Sequence, residues 1–142
     1  MQPVLFDSSV YISAFRAGSD AILSLRRLSD TGPVWLSAVV LEELYAGTTS
    51  RDFQAIRRLE HDLERARRIL IPNLSDWVQA GKAIAQLATR YHFEQIGKGR
   101  LTNDALIAMS AGRMGITVIT SNARDFAKLA EFRTFRWRVE TA

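Results

Sequence analysis

The sequence predicts an alternating α/β fold in which short apolar strands form a central, mostly parallel sheet of four or five strands. The first observation is that apolar runs of three or four residues recur along the chain, separated by stretches with helical spacing of apolar residues. The second is that these runs tend to end in polar or acidic residues, as strands do at the ligand-binding edge of an open α/β sheet. The predicted strands are Val4-Leu5-Phe6, Val34-Trp35-Leu36, Ile69-Leu70-Ile71, Ile116-Thr117-Val118-Ile119 and an edge strand between Phe132 and Val139.

The length and composition indicate one globular domain. A chain of 142 residues is long enough for one sizeable core and too short for two ordinary domains, so we expect a single domain over residues 1–142. No apolar run reaches membrane-spanning length, and the first residues lack the pattern of a secretory signal. We therefore expect a cytoplasmic protein that has no contact with a membrane.

The residue types present narrow the possible chemistry. The absence of cysteine excludes disulfides, thiolate metal sites and cysteine nucleophiles. His61 and His92 have no paired metal-binding spacing. A metal would therefore be bound by carboxylate oxygen, which favours Mg²⁺ or Mn²⁺. The net charge is +4, and sixteen of the nineteen basic residues are Arg, a side chain suited to phosphate contact, although a basic surface alone is weak evidence.

Helical segments follow the first two predicted strands. The first helix ends at Gly18, and residues 19–30 form a second amphipathic segment with its arginines outward. The turn Thr31-Gly32-Pro33 leads into the second strand. Ser37 then caps a helix that Gly47 closes.

The middle of the chain contains the most polar helix and a second, small-residue helix. The first covers about residues 52–68 and has an arginine-rich face, which is either a solvated surface or a surface for nucleic acid or a partner. The second covers residues 77–91 and is capped by residues 73–76. Both alternatives for the arginine face remain open at this point.

A glycine-rich basic segment, residues 97–100, precedes the most apolar helix. It lacks the spacing of a P-loop, so we interpret it as a flexible loop over the mouth of a site. Its Lys98 and Arg100 could contact phosphate, but a plain surface loop is the simpler interpretation. Thr102 or Asn103 then caps a buried helix that has Asp104 in its first turn. Gly112 and Gly115 are expected to end that helix.

Four acids, Asp7, Glu43, Asp104 and Asp125, follow the ends of apolar elements. Taken alone, Asp7 is better explained as a helix cap. Glu42 and Glu43 are about 100° apart on a helix, so one faces solvent while Glu43 is expected to face the sheet edge. Right-handed crossovers bring such positions to one edge of a parallel sheet, so four acids should converge there. Their mutual repulsion would require a divalent cation.

Four motifs in this order resemble the PIN domain family, in particular the VapC-type toxin ribonucleases of bacterial and archaeal toxin–antitoxin pairs. The resemblance covers essentially the whole chain and implies a three-layer α/β/α sandwich. The motifs are Leu5-Phe6-Asp7-Ser8-Ser9, Ser37 followed by Glu43-Leu44 and Gly47, Asn103-Asp104-Ala105-Leu106-Ile107-Ala108, and Thr120-Ser121-Asn122-Ala123-Arg124-Asp125-Phe126.

The resemblance also implies the roles of individual residues. Asp7, Glu43 and Asp104 match the acids that hold Mg²⁺ or Mn²⁺ in the family. Asp125 is implied as a fourth catalytic acid, although the neutral Asn122 stands where the family often has an Asp. The residues implied to line the same pocket are Ser9, Thr120 and Asn122.

The activity implied by the resemblance is hydrolysis of an RNA phosphodiester by a metal-activated water. The implied partners are RNA, an antitoxin protein with a segment that enters the active-site groove, and a second copy of the chain. Tyr11 and Phe15 on the first helix are the candidates for the homodimer contact.

Two alternatives to this activity are considered. One is a PIN-like module that has lost cleavage and binds RNA or a partner, which the neutral Asn122 leaves open. The other is a receiver-like signalling domain, which is less favoured because Asp7 has no acidic neighbour and residues 122–124 contain no Lys.

Overall fold

Strands and helices follow one another along the chain, with one or two described helices between successive strands. The computed structural model describes residues 2–18, 32–92 and 98–140, with the backbone alone for residues 98–100. The strands are β1 (Val4–Phe6), β2 (Val34–Ser37), β3 (Ile69–Leu70), β4 (Thr117–Thr120) and β5 (Trp137–Val139). The helices are α1 (Ser8–Ala17), α2 (Ala38–Gly47), α3 (Phe53–Arg65), α4 (Leu74–Tyr91), α5 (Lys98–Met114) and α6 (Ala123–Phe132).

The five described strands form one sheet in the order β3-β2-β1-β4-β5, and every neighbouring pair is parallel. Helices flank the sheet, which confirms the predicted α/β/α architecture. None of the helices in the described part of the chain is long and apolar enough to cross a membrane.

The central strand β1 determines where the polar edge of the sheet lies. All three of its residues are buried, as expected for a parallel strand covered on both faces. Val4 pairs with Val34 on one side and with Thr117 on the other. This register brings the residues at the carboxyl ends of three strands, Asp7, Ser37 and Thr120, to the same edge, and all three are buried.

An ion pair joins α4 to α5. Asn73 and Asp76 form a capping box at the start of α4, with reciprocal hydrogen bonds of 2.9 Å between side chain and backbone. Asp76 is buried, and Arg113 of α5 donates to it through Nε and Nη2 at 2.9–3.1 Å. Asp76 therefore both caps α4 and attaches its start to α5.

Several predictions about α5 are wrong. The helix begins at Lys98, so residues 98–100 form its first turn instead of a loop, and Asp104 lies beyond the first turn. Leu101 is fully buried, and its packing outweighs the low helix propensity of the nearby glycines. The side chains of Lys98 and Arg100, predicted to contact RNA, lie outside the described residues.

The two glycines near the end of α5 have different roles. Gly112 lies inside the helix and does not end it, and a Cβ placed there would approach Cβ of Phe135 to 3.2 Å. Gly112 therefore permits close packing of the chain before β5. Gly115 follows the helix with a φ of 68°, a conformation that favours glycine, and so ends the helix as predicted.

The placement of α1 changes one prediction about assembly. Tyr11 and Phe15, predicted at a homodimer contact, are buried in the core of this chain, at 2% and 9% exposure. A helix packs its large apolar side chains against its own sheet first, which leaves Ile12 as the exposed large apolar side chain of α1. The predicted amphipathic segment at residues 19–30 lies outside the described residues.

The remaining boundaries differ from the predictions by a few residues. The polar helix α3 ends at Arg65 and not at residue 68, and Arg67 adopts a positive φ of 58°. Tyr45 of α2 donates a hydrogen bond of 2.5 Å to Glu60 of α3. The predicted strand from Phe132 is in fact the end of α6 followed by the short edge strand β5.

Candidate active site

Asp7 lies at the carboxyl end of β1 and is the N-cap of α1. Its Oδ1 accepts hydrogen bonds from the backbone N–H of Ser9 at 3.1 Å and of Val10 at 3.4 Å, and from the hydroxyl of Ser9. Its Oδ2 accepts a hydrogen bond of 2.6 Å from the hydroxyl of Thr120. Asp7 thus caps α1 with its own carboxylate, as expected for this residue taken alone.

A chain of hydrogen bonds connects Asp7 with the turn after β4. Thr120 Oγ1, which donates to Asp7, accepts a hydrogen bond of 2.8 Å from the backbone N–H of Asn122. The side-chain amide of Asn122 donates to Asp125 Oδ2 at 2.9 Å. The structure thus links Asp125 to Asp7 through two intervening residues, and Asn122 uses its side chain to hold Asp125 and not to cap α6.

Glu43 lies on α2 and faces the same edge of the sheet. Glu42, its neighbour, is exposed, which agrees with the 100° separation of adjacent residues on a helix. The side chains of Asn103 on α5 and Ser8 on α1 donate hydrogen bonds to the Glu43 carboxylate. Its Oε1 is buried and has no hydrogen-bond partner among the described residues.

Burial makes the ionised form of both acids costly. Desolvation raises the pKa of Asp7, and the hydrogen bonds from Ser9, Thr120 and the backbone lower it by a smaller amount. Desolvation also raises the pKa of Glu43 and outweighs the donors Asn103 and Ser8, while the negative charge of Asp7 raises it further. The two carboxylates are therefore close enough to repel each other in a poorly hydrated pocket.

Asp104 occupies a buried position on α5, at 8% exposure, next to the Asn103 that contacts Glu43. The described Asp, Glu and His side chains nevertheless form no group of three that could hold a metal ion. Of the four predicted acids, Asp7 and Glu43 are close enough for the charge of Asp7 to raise the pKa of Glu43. Asp125 reaches this pair through the hydrogen bonds of Asn122 and Thr120.

The pair of Asp7 and Glu43 fits a divalent cation in two respects. Carboxylate oxygens are the ligands that Mg²⁺ and Mn²⁺ prefer, and a buried acceptor without a donor is costly unless a cation or a donor reaches it. Glu43 Oε1 is such an acceptor within the described part of the chain. Asp7 Oδ2 accepts one hydrogen bond, from Thr120, and so keeps a lone pair that could bind a cation.

Two residues of this site, Ser8 and Asn103, were not predicted as contacts of Glu43. Asn103 was interpreted as a helix cap because the helix was expected to start there. Ser8 appeared only as part of the motif that follows the first strand. The Ser beside Asp7 and the Asn beside Asp104 are the signal that could have found them, since such side chains donate to carboxylates.

Comparison with known proteins places this site in a known fold. A family model described as the PIN domain matches residues 4–132. The chain superposes on the DNA-bound VapBC of Salmonella typhimurium with a TM-score of 0.70, at 21% identity and with 98% of both chains covered. It superposes on VapBC-1 of nontypeable Haemophilus influenzae with a TM-score of 0.65, at 20% identity, with 97% of this chain and 98% of that chain covered.

A third similar structure is VapBC2 of Rickettsia felis bound to a DNA fragment from its promoter. Its TM-score is 0.64 at 20% identity, with 99% of this chain and 100% of that chain covered. At such identities the likeness concerns the fold. No curated protein sequence matches the chain.

Proposed function

The chain belongs to the PIN domain family, and from this premise we propose that it is a Mg²⁺- or Mn²⁺-dependent endoribonuclease, the toxin of a toxin–antitoxin pair. The observation that carries the proposal is the proximity of the Asp7 and Glu43 carboxylates, whose mutual repulsion a bound cation would relieve. Glu43 Oε1, a buried acceptor without a donor among the described residues, supports it. The similarity to VapBC complexes supports the toxin assignment. A cytoplasmic location, where RNA is available, is part of the proposal.

The residues proposed to hold the cation are Asp7, Glu43 and Asp104. When bound, the cation would lower the pKa of a water molecule and offset the negative charge of the phosphate. Asp104 lies on α5 beside Asn103, which donates to Glu43, and completes the proposed set. The reaction is hydrolysis, in which a water oxygen bonds to phosphorus and the bond to the leaving oxygen of the RNA breaks.

The protein's own residues would keep the two carboxylates oriented. The hydroxyls of Ser9 and Thr120 fix both oxygens of Asp7, and Ser8 and Asn103 restrain Glu43. Hydrogen bonds to a metal-binding carboxylate fix the direction in which its oxygens face the cation.

In the proposal, Asp125 contributes to catalysis by positioning Asp7 through Asn122 and Thr120. It holds Asn122, whose backbone N–H bonds to the Thr120 hydroxyl that in turn donates to Asp7. Lys98 and Arg100 remain proposed contacts for the RNA backbone.

An antitoxin segment is proposed to bind in the groove between α1, α2 and the start of α3. This groove encloses about 340 Å³ and is lined by apolar side chains, including Ile12, Phe15 and Leu44, with Glu43 in its wall. A segment lying there would reach the proposed cation site, as expected for an inhibitor. A homodimer also belongs to the proposal, and its contact would lie outside Tyr11 and Phe15.

Substitution of the acids tests the enzymatic function. Asp7→Asn keeps an oxygen that can accept from Ser9 and Val10, so the fold should persist while a metal-binding charge is lost. We expect Asp7→Asn and Asp104→Asn each to reduce Mg²⁺-dependent cleavage of total RNA by about 100-fold or more. Glu64→Gln, at an exposed acid on α3, is the matched control and should cleave like the parent. Unchanged cleavage by both site variants would refute the metal-site assignment.

The second candidate function is a PIN-like module without cleavage. It is favoured by the neutral Asn122, whose amide is occupied by Asp125. If the parent protein binds Mn²⁺ and RNA in calorimetry but cleaves nothing with either cation, this candidate replaces the nuclease. The receiver-like alternative is set aside because the family match is to the PIN domain.

A further inference from the structure

A second cavity lies between the start of α2, the turn after β3 and α5. It encloses about 470 Å³. Its walls are mainly apolar and include Val39, Ile71, Pro72 and Trp77, and its polar lining comes from Glu42 and Asn103. A mostly apolar cavity with few polar groups is the usual form of a small-ligand site.

Asn103 connects this cavity with the candidate active site. Asn103 lines the cavity and also donates a hydrogen bond to Glu43. Glu42 lines the cavity, whereas the adjacent Glu43 faces the acid pair. A nucleotide with its phosphate at the acid pair would therefore have its base within reach of this cavity.

Two apolar side chains of the cavity wall are exposed to solvent and could stack on a base. Trp77 is 55% exposed and Ile71 is 68% exposed. A half-exposed indole beside a proline and an isoleucine offers a flat surface for an unpaired base, and aromatic stacking is a main source of affinity for single-stranded RNA. Trp77 lies on the first turns of α4, which Asn73 and Asp76 cap and which Arg113 anchors to α5. Its backbone is therefore held firmly.

The polar lining suggests which base would fit. Glu42 is exposed, and its carboxylate can accept two parallel N–H donors. Guanine is the base that presents two adjacent donors, the ring N1–H and the exocyclic amino group, on its Watson–Crick edge. Uracil presents one N–H flanked by two carbonyl oxygens, which a carboxylate repels.

We propose that this cavity binds one unpaired guanine of the RNA substrate, stacked on Trp77 and hydrogen-bonded to Glu42, next to the bond that is cut. The inference rests on the proposed ribonuclease function and adds its base specificity. It gives Trp77 and Glu42 roles in choosing the substrate, apart from the acids that would carry out the chemistry.

The first experiment measures binding without cleavage. Guanosine 5′-monophosphate is titrated in EDTA into the full chain while tryptophan fluorescence is recorded. Quenching is expected in the parent, and it should disappear in Trp77→Phe, which retains the other two tryptophans of the chain. Glu42→Gln should weaken binding of this nucleotide several-fold and leave uridine 5′-monophosphate unaffected. Equal quenching in the parent and Trp77→Phe would overturn the inference.

The second experiment separates the base site from the proposed reaction. In cleavage of RNAs that differ only at the base next to the cut, Trp77→Ala should lower kcat/KM for the guanine substrate roughly 10-fold, with little change for uracil. If the parent cleaves RNA with no such change in Trp77→Ala, the base site is wrong and the nuclease stands. If the parent cleaves nothing but Trp77 quenching persists, the nuclease fails and the base site stands.

A third measurement tests a different occupant. Leu74 and Val78 near Trp77 are also exposed, at 79% and 44%, so a second copy of the chain could cover this face. Sedimentation of the parent and Trp77→Ala distinguishes the two. A parent dimer that becomes monomeric in Trp77→Ala would overturn the guanine site, whereas an unchanged oligomeric state in both proteins supports it.

Discussion

Substitution of Asp76 should destabilise the protein strongly, because its carboxylate is buried and serves two purposes. It accepts hydrogen bonds from two nitrogen atoms of Arg113 within 3.1 Å, and it also accepts one from the backbone N–H of Asn73 at the start of α4. Removing one partner of a buried ion pair costs about 3–5 kcal/mol. The Arg113 side chain is 35% exposed, so water can rehydrate it, which brings this cost to about 2 kcal/mol. Loss of the capping box adds about 1 kcal/mol.

Asp76→Ala should therefore lower the free energy of unfolding by about 3 kcal/mol, or the melting temperature by roughly 10 °C for a chain of this size. The assay is urea unfolding of Asp76→Ala, Arg113→Ala and the double variant, which gives the coupling energy of the pair. We expect a coupling of about 2 kcal/mol.

A second ion pair in the same chain supplies the control. Arg90 and Glu131 are joined at 2.8 Å, about the same distance, but their side chains are 50% and 36% exposed. Double-mutant cycles at this pair should give a coupling that is indistinguishable from zero. Equal coupling in the two cycles would refute the argument that burial determines the strength of these ion pairs.

Three further predictions concern the site, alkaline pH and the helix glycines. Thr120→Val should destabilise the protein by about 2 kcal/mol in urea unfolding, because the buried Asp7 loses a donor, and Thr120→Ser, which keeps the hydroxyl, should cost less. Burial and a hydrogen bond to a carboxylate raise the pKa of Tyr45 to about 12, so its contribution to stability is complete below pH 10 and is lost as the pH rises through 12. Tyr45→Phe should unfold with a shallower pH dependence over that interval. Gly81→Ala, which meets no atom within 4 Å, should raise the melting temperature by roughly 2–4 °C, whereas Gly112→Ala should show no gain because its new Cβ meets a phenylalanine carbon at 3.2 Å.

The strands were predictable because their signal is local. A buried parallel strand reads as a continuous apolar run, and four of the five predicted runs overlap the observed strands almost completely. The position of Asp7 at a strand end was visible for the same reason. The fifth strand was predicted too long because Phe132 and the residues after it lack a clear period.

Other features depend on residues that are distant in the sequence. The start of α5 at Lys98 could not be read from the glycine-rich segment, because burial of Leu101 against the core outweighs local propensity. The partner of Asp76 lies 37 residues away, so no local pattern reveals it. The contact of Asn103 with Glu43 likewise depends on how α5 packs beside α2.

The hydrogen bond between Thr120 and Asp7 also limits the order of folding. The two residues are 113 positions apart, and β1 pairs with β4 along its whole length. During synthesis on the ribosome, β1 must therefore wait until β4 has been made before its second edge is covered. We expect nascent chains that stop before residue 117 to be degraded rapidly by a protease, and chains that extend past residue 120 to resist it. The proposed catalytic pocket would then be completed late in translation, so that an unfinished chain has no assembled site.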